Sequence, residues 1–147
     1  METKKIRAVL IIEILGKPPE HLIETLEEII KQISEEKGVS VTEKKIKEPV
    51  PIKDKKEVYT SFAEIEIEVE EILSLGLILF KYMPSHIEIL SPELIVLTNN
   101  GWTEILNEIS RRLHSYDEVA RVIQIEKRIL ENKLRELLNE KKSGKKE

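Results

Sequence analysis

From Ile6 to Ile14 apolar and polar positions alternate. Ile6, Ala8, Leu10, Ile12 and Ile14 fall on one side of an extended chain, and Arg7, Val9, Ile11 and Glu13 on the other. Period two predicts a strand, and the extra apolar residues on its second face suit a central position in a sheet. The period then changes. In GKPPEHLIETLEEIIKQISEEKG, Leu22, Leu26, Ile29 and Ile33 form one stripe, widened by Ile23 and Ile30, as in a helix with one buried side. Pro18 and Pro19 suit its first turn, and Gly38 suits its C-terminal cap.

Two strands joined by a basic connection are expected next. Pro49 and Pro51 cannot donate to a ladder, which puts the first of the pair at a sheet edge. The sequence KDKK marks the tip. In the second strand Ala63, Ile65, Ile67 and Val69 point one way and Glu64, Glu66, Glu68 and Glu70 the other. EEILSLGLILFKYMP is apolar nearly all round, so a helix buried on more than one side is expected, ended by Pro84. SHIEIL reads as a short strand stopped by Pro92, and ELIVL as a further strand or a packed turn. From Trp102 onward the pattern is helical. Ser115 and Glu118 have the spacing of a capping box, which predicts that one helix ends near residues 114–116 and a second starts there. Val119, Ile123, Leu130, Leu134 and Leu137 form the stripe of this last helix, expected to run from Ser115 to about Lys141 over ~40 Å.

The order strand, helix, strand, strand, helix, strand resembles that of ferredoxin-like domains across about residues 5–98. The expected class is therefore α+β: an antiparallel sheet with two helices on one face, followed by a C-terminal helical extension. The resemblance implies the strand order 4-1-3-2, with the proline-bearing second strand at an edge and the two most apolar strands in the centre. The domains expected are a sandwich over 1–98, a two-helix arm over 99–141 and a disordered tail over 142–147. A shared fold carries no function with it.

Composition narrows the field by exclusion. The absence of Cys removes disulfides, thiolate metal sites and Cys nucleophiles. Heavy use of Lys, Glu and Ile resembles thermophile composition. There is no signal-peptide pattern at the start, and no stretch approaches the ~20 apolar residues of a membrane span. The cytoplasm is the default expectation, and no membrane partner is expected. The net charge is −4. Residues 1–101 carry 13 basic and 19 acidic side chains and residues 102–147 carry 11 and 9. This is not the footprint of a nucleic-acid binder.

Candidate chemistry is sparse. The Glu64, Glu66, Glu68 and Glu70 row spreads alternate residues almost 7 Å apart along a flat strand, which suits a salt-paired face better than metal ligation. The central strands lack the aromatic residues with which open sheets of this class stack on RNA. Lys44, Lys45, Lys47, Lys53, Lys55 and Lys56 form a Lys-rich connection, but Glu43, Glu48, Asp54 and Glu57 interrupt it. His21, His86 and His114 fall on three separate elements with no ligand spacing. The turn at Gly16 and Lys17 precedes a helix N-terminus, where prolines remove the donors an anion needs.

One stretch gathers uncommon residues, TNNGWTEILNEISRRLHSYDEV. As a ligand or partner site it offers Asn99, Asn100, Trp102, Arg111, Arg112 and His114. As structure, Asn99 or Asn100 caps a helix, Gly101 eases the turn, Trp102 is an apolar anchor, and Arg111, Arg112 and His114 favour a helix C-terminus. No catalytic, metal or cofactor-binding residue is singled out, and no cofactor is expected. The function expected is a small non-enzymatic interaction module, homo-oligomeric or docking a protein partner, through its C-terminal helices or its open sheet face. A metabolite-sensing regulatory domain is the alternative. An RNA-associated protein using the Lys-rich loop and tail is a second alternative, although nucleic acid is an unlikely partner for so acidic a chain.

Overall fold

The computed structural model describes residues 4–145. The chain is of mixed α+β architecture: an antiparallel sheet with helices, then a long C-terminal helix. The elements are β1 (Ile6–Gly16), α1 (Pro19–Glu35), β2 (Val39–Ile46), β3 (Val50–Pro51), β4 (Tyr59–Val69), α2 (Ile72–Tyr82), β5 (His86–Ser91) and α3 (Asn99–Gly144). The sheet order is β2-β4-β1-β5, with the two-residue β3 also paired to β4. This order is compatible with the ferredoxin-like arrangement. The chain divides into two units, Met1–Ile105 and Leu106–Glu147.

In the first unit, β1 and β4 pair along their whole lengths, from Ile6 opposite Val69 to Gly16 opposite Tyr59. This register puts Ala8 against Ile67 and Leu10 against Ile65, so the apolar rows of both strands share one face. That face is the core. Ile6, Ala8, Leu10, Ile12, Ala63, Ile65, Ile67 and Val69 are buried there, with Leu26, Ile30 and Ile33 of α1 and Leu75 and Ile78 of α2. β2 lies at the edge. Pro51 sits in β3, where it pairs with Tyr59.

Local chemistry sets the joints. Pro19 opens α1 after Pro18, whose extended backbone sits at the cap. α1 ends at Glu35, and Gly38 turns the chain into β2 at φ 75°, a conformation that costs a side-chain-bearing residue more than glycine. Ser61, the buried polar residue, donates to the Lys47 carbonyl oxygen at 2.6 Å. At the far ends of the helices, Glu36 accepts hydrogen bonds from Tyr82 Oη at 2.6 Å and from Lys81 Nζ. Lys81 foremost, and then Tyr82, hold the Glu36 carboxyl below its usual range. α2 buries only Leu75 and Ile78, and Leu79 and Met83 are exposed. The burial on more than one side expected of α2 is therefore not found: Leu75 and Ile78 join the core on the sheet, and Leu79 is exposed.

The second face of the sheet carries charge. Arg7 donates through Nε to Glu66 Oε1 at 2.9 Å, and Lys5 Nζ lies 3.8 Å from Glu68. Val9 and Ile11, further along β1 on the same face, are half-buried. The hydrogen bond with Glu66 is the main cause that raises the Arg7 pKa.

α3 is a single helix of 46 residues. The break expected near 114–116 does not occur. No Gly or Pro lies between Trp102 and Ser143 to interrupt the helix. Arg112 donates to Glu108 at 2.8 Å, His114 lies 3.4 Å from Glu118, and Arg121 lies 2.9 Å from Asp117. Of these one-turn pairs, His114 with Glu118 crosses the expected boundary, and the other two lie on either side of it. The spacing of Ser115 and Glu118 fits a capping box, but it is equally at home inside a helix. Of the tail, residues 142–144 belong to α3 and Lys145 to a turn, so the disorder expected there is not seen; residues 146–147 lie outside the described residues.

Candidate functional site

Two features offer themselves, one in each unit. The first is a cleft of about 740 Å³ within the first unit. After β5 the chain runs extended from Pro92 to Thr98 and meets the start of β1, the first turn of α2 and the first turns of α3. Ile6, Ile72, Ile95, Leu97 and Ile105 supply apolar lining, and Leu94 and Val96 stand out at 75% and 79% exposure. Glu70, Glu71, Glu93 and Glu104 surround it, with Lys4 as the one cation among the described residues that line it. The arrangement suits an apolar body carrying positive charge or hydrogen-bond donors.

The residues expected to form a site are dispersed. Asn100 lines the cleft, where its amide donates to Glu104 at 3.2 Å. Asn99 gives its backbone carbonyl to Thr103 Oγ1 at 2.8 Å. Neither asparagine caps α3. Thr98 does, accepting the Gly101 N–H through Oγ1 at 3.1 Å, because the helix begins one residue earlier than a cap at Asn99 requires. Trp102 is 52% exposed. Arg111, Arg112 and His114 belong to the second unit, and none of them lines the cleft. Arg111 and Arg112 both bind Glu108, at 3.1 Å and 2.8 Å, and Arg112 foremost lowers the Glu108 pKa. With α3 continuous, these residues sit in the body of the helix, away from the C-terminal dipole invoked for them.

Among the described residues no group of three or more His, Asp or Glu side chains is placed to hold a metal ion. Among the described residues no helix is long and apolar enough to cross a membrane.

The second feature is the surface of α3 from Leu106 onward. Not one residue of α3 is buried. Yet Leu106, Leu113, Tyr116, Ile123, Leu130, Leu134 and Leu137 are 42% to 66% exposed. They fall on a series of positions separated alternately by three and four residues. Leu106, Leu113, Ala120, Lys127 and Leu134 take the first core position of a seven-residue repeat, and Ile109, Tyr116, Ile123, Leu130 and Leu137 the fourth. Outside this seam the helix is mainly polar, apart from Val119, Leu138 and a second patch at Val122, Ile125 and Ile129. Sequence reasoning missed the repeat because the expected break at 114–116 split it. The signal was present: the three-four alternation passes through Leu113, Tyr116 and Ala120 without a skip.

The family model for MJ0538 matches residues 7–144, nearly the whole chain. The chain belongs to the MJ0538 family. The match includes the sheet of this MJ0538-family chain except Ile6, and all of α3. No curated protein and no solved structure matches the chain.

Proposed function

We propose that the chain is a non-enzymatic interaction module that associates with other copies of itself through the seam of α3. The observation that carries this reading is the seven-residue repeat of mainly apolar, mainly exposed residues, interrupted by Lys127, on a helix that buries none of its own. Helices of this kind draw most of their stability from packing. Each fully buried Leu or Ile side chain is worth ~1.5–3 kcal/mol, so leaving the seam in water forfeits much of what a partner supplies. The open sheet face is the weaker candidate. On it Arg7 is already paired with Glu66 and Lys5 with Glu68.

The strand order and the placement of α1 and α2 on one face support a finer reading of the first unit as ferredoxin-like. Removing residues 116–147 tests the role of the arm. The expected result is loss of the assembled form in light scattering. An unchanged oligomeric state with full solubility refutes it.

The cleft favours a second reading, a small-ligand regulatory domain. A thermal-shift screen across a metabolite panel separates the two. A ligand that raises the melting temperature and fails to do so in Leu94→Asp supports this second reading.

A further inference from the structure

We propose that the partner of the α3 seam is a second copy of α3 lying parallel and in register. This rests on the self-association reading and adds to it the direction and alignment of the chains. In a parallel coil each residue before the first core position faces, across the seam, the partner residue five places further on. Here Arg112 meets Asp117, and Glu140 meets Lys145 just past the helix end. Glu126 meets Glu131, a like-charge contact beside the layer in which the two Lys127 side chains lie. Lys127 Nζ is already 3.9 Å from Glu131 within one chain, so its charge offsets this contact. Ala120 shares the middle of the seam with Tyr116 and Ile123, so the small side chain makes room for the large ring one turn away.

The antiparallel alternative with the same overlap is poorer. It also joins Arg112 to Glu140, but it sets Asp117 against Glu131 and Glu126 against its own copy. Charges flanking a seam choose partner and orientation, and this set chooses parallel. Parallel pairing brings the Leu106 ends of two arms together, so the assembly presents two first units to any bivalent partner.

The chain has no Cys, so single cysteines report the alignment cleanly. In the full chain, Leu113→Cys and Leu137→Cys are each oxidised alone and then as a mixture. In the parallel register identical positions share a layer and each variant cross-links to itself. In the antiparallel overlap position 137 faces position 113, and two copies of position 137 lie ~36 Å apart. Efficient self-cross-linking of both variants is the result expected. A dimer that cross-links only between the two variants overturns the parallel register and leaves self-association standing. A mass of one chain with no cross-link overturns both.

Discussion

Tyr82 donates its hydroxyl to Glu36 at 2.6 Å, joining the end of α2 to the residue that caps α1. Lys81 completes the cluster on the same carboxylate oxygen. The two helices are thus tied at a point beyond the buried core. Tyr82→Phe removes the neutral donor and keeps the ring. A charge-assisted bond of this kind, partly exposed to water, is worth ~0.5–1.5 kcal/mol, which chemical denaturation resolves.

The same cluster sets a pH dependence. The Glu36 carboxyl titrates below its ordinary range in the folded chain, so the folded state binds fewer protons than the unfolded one. Its stabilising effect is present above the ordinary carboxylate pKa and is lost as pH falls through the lowered value. Acid denaturation of Glu36→Gln is expected to be shallower than that of the wild type across this window. Parallel curves contradict the assignment.

Leu26 is fully buried among Leu10, Ile65 and Ile67 in the core. Leu26→Ala removes three carbons and leaves a cavity under α1. The expected loss is ~2–5 kcal/mol in urea denaturation. A loss below ~1 kcal/mol contradicts the burial of α1 on the sheet.

These core contacts were legible in the sequence because alternation along β1 and β4 and the stripe of α1 are set by the same burial they report. Two other features were not. The helix boundary expected at Ser115 rests on a local motif, and the helix runs through it because no Gly or Pro lies between Trp102 and Ser143 and His114 pairs with Glu118 across it. The cleft arises where residues 92–98 return beside Ile72 and Lys4, a meeting of distant segments that no local period encodes. Of the residues singled out beforehand, Asn100 alone reached it.

Lys127 occupies a core position of the seam. A buried ammonium there weakens association in return for alignment. Lys127→Leu is expected to raise the melting temperature of the helical signal and to loosen control over strand number. A lower melting temperature places Lys127 outside the seam.

Charge exchange tests the pairing across the seam. Arg112→Glu and Asp117→Arg are each expected to weaken self-association, because each creates a like-charge contact with the partner copy. Mixed together, the two variants restore opposite charges across the seam and form the heteromer in preference to either homomer. In the antiparallel arrangement Asp117→Arg would instead meet Glu131 and strengthen association.

The central claim is that the α3 seam is covered by another copy of the chain. Sedimentation equilibrium of the intact chain, beside the double variant Ile123→Lys, Leu130→Lys, tests it most directly. The account predicts a mass of two or more chains for the wild type. It predicts a single chain for the variant, with the sheet intact by circular dichroism. A wild type that sediments at 17.1 kDa across the micromolar range contradicts it.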